Sequence, residues 1–195
     1  MCDFNHDLKT VIGDKSIITF RRSKNLKDRL IRSHYCNTPK STWWSNKTKG
    51  CYTCGTCKAC PWIKKTTKIE CRSDIKEYLI KDLINCKTRG VIYIMSCERG
   101  KNYIGKTKRE FRRRVLEHLG DVLHKRNTSV ANHINESHEG DTSVMKFTGM
   151  EHIQSTTRIG DVNRKLLQCE AQWIYWCQSK SPNGLNEGFT FAQFL

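Results

Sequence analysis

Between Gly90 and Val122 the hydrophobic period changes from that of a strand to that of a helix, and no other stretch of the sequence restricts the fold as strongly. Val91-Ile92-Tyr93-Ile94-Met95 is rich in β-branched and aromatic residues and reads as a buried strand. Glu98-Arg99-Gly100-Lys101-Asn102 supplies turn chemistry, and Tyr103-Ile104-Gly105 is short, apolar and placed to pair back, so residues 91–105 are predicted to form a β-hairpin. In period-two geometry Val91, Tyr93 and Met95 share one face and Tyr103 and Gly105 another, so the right register would point both tyrosines the same way. Thr107 followed by Glu110 has the spacing of a capping box, and Phe111, Val115, Leu119 and Val122 then recur at helical spacing through about His124. A second helix from Ser129 to about Ser137, a strand from Ser143 to Ile153 and a third helix from Asp161 to about Cys177 complete a β-β-α-α-β-α order. The expectation is an α+β fold, a small three-stranded antiparallel sheet flanked by helices.

The 195 residues leave room for one domain of ordinary size and an N-terminal extension. Residues 86–190 form the expected domain, 46–85 a Cys-rich segment and linker, and 1–45 a basic extension. In that extension Leu26, Leu30 and Ile31 sit at helical spacing after Ser23, a suitable N-cap, which predicts one short basic helix. Residues 39–50 read as a linker whose Trp43-Trp44 pair docks on the body. Lys and Arg number 35 against 19 Asp and Glu, a net +16. Such a surplus favours polyanionic partners by counterion release, although a solubilising surface is the commoner cause of excess charge. No stretch approaches the roughly 20 apolar residues of a membrane span, and Met1 to Gly13 lacks the pattern of a secretory signal. An intracellular, reducing compartment is therefore expected, in which the 11 cysteines serve as metal ligands and free thiols instead of disulfides.

Cys51, Cys54, Cys57 and Cys60 form three consecutive CxxC steps, a spacing at which thiolates converge on one ion. The run also resembles iron–sulfur ferredoxin patterns, but its last spacing is two instead of three and no second cluster appears, so zinc is preferred. A linear run of four ligands is tight, and Cys71 or Cys36 could replace one of them. Cys2, Cys169 and Cys177 read as ordinary thiols.

In the last helix Leu166, Leu167, Trp173, Ile174 and Cys177 make an apolar stripe, and Glu170 falls inside it. A carboxylate there is costly unless it is paired or bound to metal. A salt bridge to an arginine and a metal ligand are both open readings. Arg114 and His118 lie one turn apart on the first helix.

Taken together, Val91-Ile92-Tyr93, Tyr103-Ile104-Gly105 ten residues on, the helical Arg114 and His118, Glu170 in EAQWI and Asn186 in NGLNE resemble the GIY-YIG nucleases. Val91 stands where that motif has its first glycine, with Gly90 just before it. The likeness is closer still to the endonuclease region of Penelope-like retroelements, over roughly residues 18 to 190, with a similar segment at Phe20 to Tyr35 and a Cys-rich piece before the nuclease. No polymerase precedes Ile18, so the chain looks like a detached, decayed or co-opted C-terminal portion.

The resemblance implies a GIY-YIG nuclease fold and hydrolysis of DNA phosphodiesters, including RNA–DNA intermediates, in the nucleus. It implies Mg²⁺ or Mn²⁺ on Glu170, Tyr93 as base or water-orienting group, Arg114 clamping the phosphate, Tyr103 and His118 positioning phosphate and water, and Asn186 bracing the site. Lys106, Lys108, Arg109, Arg112 and Arg113 would contact nucleic acid. It also implies a Cys/Cys/His/His zinc set, placed on Cys86, Cys97, His133 and His138, against the plain reading of two core thiols and two surface histidines. Two rivals are a catalytically inactive, zinc-stapled nucleic-acid-binding relic and a structure-specific repair nuclease of the same superfamily. Oligomeric state and target preference are not legible.

Overall fold

A computed structural model describes residues 48–71, 77–154 and 159–188, so the expected basic helix, Trp43-Trp44, Cys2 and Cys36 lie outside the described residues. Its centre is a three-stranded antiparallel sheet with β5 (Val91–Cys97) between β6 (Asn102–Thr107) and β7 (Met145–His152). The uninterrupted apolar run of β5 follows from that position, since a middle strand covered on both faces has no solvent side on which to place polar residues. Tyr93 pairs with Gly105 and Met95 with Tyr103, and cross-strand partners share a face. Both tyrosines therefore stand on the same side of the sheet.

Gly105 is required by this register. A Cβ at that position would sit 2.5 Å from the Tyr93 hydroxyl oxygen and 2.6 Å from its Cζ, because the phenol lies flat across the opposite backbone. Gly105→Ala should therefore displace Tyr93 and cost about 1–3 kcal/mol of stability by overpacking, read as a lowered Tm. A melting curve like that of the wild type would show that the ring moves aside freely.

Three helices follow the expected order: α1 (Phe111–Leu123), α2 (Ser129–Ser137) and α3 (Ile159–Trp176). The α1 face against the sheet is Phe111, Val115, His118 and Val122, all buried. The predicted capping box does not form. Thr107 Oγ1 accepts from the Arg109 amide at 3.1 Å, and Glu110, itself the N-cap, turns its carboxylate to Arg112 at 2.8 Å. The first helical amides are met instead by a preceding segment, Phe111 N–H donating to Thr88 O at 2.9 Å and Arg112 N–H to Cys86 O at 2.8 Å. That segment satisfies donors a side-chain cap would otherwise take. For α2 the Thr128 hydroxyl accepts from the Ala131 amide at 3.2 Å, an ordinary N-cap.

The α3 helix covers the other side of the sheet. Trp173 donates its indole N–H to Glu151 at 2.9 Å, and Glu170 pairs with Lys106; Glu151 and Lys106 both neighbour Ile92, on the face away from Tyr93. Trp173 also meets Tyr78 edge-on, with centroids 4.8 Å apart.

The Cys-rich segment folds onto the β7 side. β1 (Gly50–Tyr52) pairs in parallel with β4 (Leu83–Asn85), and β2 (Lys68–Ile69) pairs antiparallel with β3 (Tyr78–Leu79). Lys64 N–H donates to Phe147 O at 2.9 Å, and Ile84 lies where a Cβ on Gly149 would meet it at 2.4 Å. Cys71 and Cys177 are joined as a disulfide, against the expectations of Cys71 as a substitute metal ligand and Cys177 as an ordinary thiol. Packing of Tyr78 on Trp173 brings the segment after β2 to the end of α3. Among the described residues no helix is long and apolar enough to cross a membrane.

Candidate active site

Tyr93 is wholly buried, so its hydroxyl must find partners within the protein. It accepts from Arg114 Nε at 3.0 Å and lies 2.8 Å from His118 Nε2. The phenol proton can point at the imidazole when His118 carries its own proton on Nδ1, a buried nitrogen with no hydrogen-bond partner among the described residues. Burial, with the nearby Arg114 charge second, pushes the His118 pKa down to about 3, so the ring is neutral at physiological pH. Burial chiefly, and the neighbouring Tyr103 next, push the Tyr93 pKa up. His118 also stacks on Phe147 with centroids 5.6 Å apart and meets Tyr103 edge-on at 5.6 Å.

Tyr103, unlike Tyr93, reaches an open cleft of about 690 Å³. Lys106, Glu170, Asn186 and Glu187 line the same cleft, together with the residues at the start of α2. Glu170 comes from the helix on the far side of the sheet, yet it shares a cleft with Tyr103 because β6 is an edge strand and the cleft wraps around that edge. Its charge acts on both tyrosines, although burial is the larger cause of the raised Tyr103 pKa and Arg114 opposes it. Glu170 is ion-paired with Lys106, so of the two partners expected for it, a salt bridge is present, to a lysine instead of an arginine. The pairing also tests the site for metal. The ammonium offsets the Glu170 charge, so a divalent cation would have to displace Lys106; the carboxylate oxygen so freed is the hard donor that Mg²⁺ prefers, and because Mg²⁺ keeps most of its waters few protein ligands are needed.

Asn186 is buried. Its carboxamide receives the Ile104 amide at 2.9 Å and donates to Ile104 O at 2.8 Å, while Ser179 Oγ donates to the same Oδ1 at 2.9 Å. Asn186 therefore fastens the backbone of β6 between the two cleft-lining residues Tyr103 and Lys106.

Of the residues expected to contact nucleic acid, Lys106 is engaged by Glu170, Arg109 by Glu117 at 2.7 Å, and Arg112 by Glu110 at 2.8 Å. Arg113 approaches Glu110 only at 3.9 Å and is largely exposed, and Lys108 is also exposed. Sequence reasoning missed Glu117, which holds Arg109 and also Arg114 at 3.2 Å; its three-residue spacing from Arg114 was the available signal.

The candidate metal ligands divide differently from the expected sets. Cys54, Cys57, Cys60 and Cys86 form one group and Cys97, His133 and His138 another, with ligand atoms within 4.8 Å of one another in each. Cys51 belongs to neither: it is buried in the core, its Sγ accepts from the Gly149 amide at 3.2 Å, and desolvation pushes its thiol up to about 11. Cys71 is taken by Cys177. Cys86 cannot join Cys97, because β5 runs extended between them for about 20 Å at about 3.3 Å per residue. Cys97 Sγ lies 3.3 Å from His133 Nε2. The buried Nε2 of His138 has no hydrogen-bond partner among the described residues, a nitrogen and sulfur donor set that suits zinc.

The family model described as the GIY-YIG catalytic domain matches residues 89–186, 98 of the 195, and the chain belongs to that family. Its members are nucleases, hydrolases of the nucleic-acid backbone that typically use divalent metals. No curated protein and no solved structure matches the chain.

Proposed function

We propose that this chain is a divalent-metal-dependent DNA endonuclease of Penelope-like retroelement origin, acting in the nucleus on DNA and RNA–DNA intermediates. The observation that carries the activity is the cleft around the β6 edge, where Tyr103 and Lys106, from opposite faces of β6, line one cavity with Glu170 of α3. The lineage rests on the resemblance of Phe20 to Tyr35 and of the CxxC run, and the nuclear location on the lineage. A structural zinc on Cys97, His133 and His138 belongs to the same reading.

Glu170 would hold Mg²⁺ or Mn²⁺, which when bound supplies positive charge to the scissile phosphate and the departing 3′ oxygen. Burial gives the two tyrosines different tasks. Tyr93 spends its hydroxyl on Arg114 and His118 and so sets the angle of the guanidinium. Tyr103 faces the cleft and would orient the attacking water through a hydrogen bond to its hydroxyl. Arg114 offers planar donors to non-bridging oxygens as charge builds on the phosphate. Lys106, released from Glu170, would bind phosphate as a point charge.

Purified protein incubated with supercoiled plasmid and Mg²⁺ should yield nicked circles, and chelation should prevent them. Tyr103→Phe should lose more of the rate than Tyr93→Phe, since only the first removes a hydroxyl from the cleft. Absence of nicking by metal-replete, folded wild-type protein would reject the enzymatic reading in favour of a binding relic.

A further inference from the structure

Four thiols from two distant stretches of chain meet beside the start of α1. Cys60 Sγ lies 3.5 Å from Cys57 and 3.8 Å from both Cys54 and Cys86, and all four sulfurs are within 4.8 Å of one another. With Zn–S bonds of about 2.3 Å, the edge of a ZnS₄ tetrahedron is about 3.8 Å, so these separations are those of one four-coordinate ion. They are too long for disulfide bonds, at about 2.05 Å. They also suit an iron–sulfur cluster poorly, since four thiolates shared among two or four irons spread around the cluster instead of converging on one point. Cys86 is 26 residues from Cys60 in sequence, so the convergence is a tertiary feature and no by-product of the CxxC spacing. Two neighbours support a centre rich in negative charge: the Cys54 amide donates to Cys86 Sγ at 3.2 Å, and the Arg112 guanidinium lies within reach of the Cys54 and Cys57 charges. Hydrogen bonds and cations of this kind commonly surround metal-bound thiolates.

We propose that Cys54, Cys57, Cys60 and Cys86 bind one zinc ion and that this ion fastens the start of the catalytic helix. The stretch from Cys86 to Thr88 does two things at once. Its first side chain completes the thiolate set, and its carbonyls at Cys86 and Thr88 receive the amides of Arg112 and Phe111. A metal that immobilises Cys86 therefore immobilises the cap of α1, one turn before Arg114 and two before His118. The zinc assignment stands independently of the nuclease reading; only the consequence for Arg114 rests on it.

The test uses the full chain purified in a thiol-free reductant, with metal content measured directly. Cys86→Ser and Cys57→Ser should each carry one zinc equivalent fewer than the wild type, whereas Cys51→Ala should carry the same as the wild type. Hydrogen exchange of the 111–115 amides should become about tenfold faster on loss of the ion, with the 166–176 segment of α3 unchanged. If Cys86→Ser does not fold, chelation of wild-type protein followed by zinc re-addition should give the same reversible change in exchange. Equal zinc in the wild type, Cys86→Ser and Cys57→Ser, loss of an equivalent in Cys51→Ala, or iron with visible absorbance would overturn the assignment. Zinc loss without faster exchange at 111–115 would overturn the fastening role. Both readouts are independent of cleavage, so an inactive enzyme would leave them intact.

Discussion

Glu170→Gln is expected to leave a folded protein that no longer nicks plasmid, with the rate down by about 10³-fold or more. The substitution keeps the shape of the side chain and removes only its charge. Of the two carboxylates lining the cleft, Glu187 is exposed and Glu170 half-shielded, and the charge of the shielded one is the less screened by water. A divalent cation contributes several kcal/mol to stabilising the charge that develops in phosphoryl chemistry, and each 1.36 kcal/mol is tenfold in rate. Mn²⁺ binding followed by electron paramagnetic resonance should weaken in parallel, while the thermal midpoint should change little because Lys106 is partly exposed and remains solvated. Nicking at the wild-type rate, with Mn²⁺ affinity intact, would remove Glu170 from the mechanism.

Arg114→Lys should cost about 10²-fold in single-turnover cleavage, a larger loss than exchange of one cation for another suggests. The guanidinium donates simultaneously to Tyr93 through Nε and to Glu117 through a terminal nitrogen. An ammonium on a flexible stem cannot reproduce that fork. Removing one preorganised donor from a phosphate or oxyanion site typically costs about 10²–10³-fold. The effect should appear in the chemical step, with DNA affinity at fixed salt reduced only modestly because net charge is unchanged. A variant cleaving as fast as the wild type would reduce Arg114 to a strut between Tyr93 and Glu117.

What could be read beforehand follows a physical division. The hairpin, the order of elements and the bounds of α2 were legible because periodicity and turn chemistry act over a few residues. The start of α1 was misplaced because its donors are met by Thr88 and Cys86, carbonyls from a segment whose path no local pattern records. The same holds for the cysteines. Spacing identified three of the first group, but the fourth arrives by tertiary folding, and Cys51, on the same CxxC run, is drawn into the core by β1 pairing with β4. Glu170 was recognised as an anomaly in an apolar stripe, whereas its lysine partner was assigned to nucleic acid. The side of the sheet occupied by α3, and hence the wrapping of the cleft around β6, is likewise a property of packing.

The outer rim of β6 has a consequence for association. A bare rim strand offers a ladder of amides and carbonyls to any extended chain, the usual route to sheet-to-sheet polymerisation. Here the Asn186 carboxamide occupies both outward groups of Ile104, and the Leu185 amide takes Asn102 O at 2.9 Å. One side chain therefore plugs the rim between Tyr103 and Lys106, and the backbone groups of Ile104 and Asn102 O are closed to any added strand.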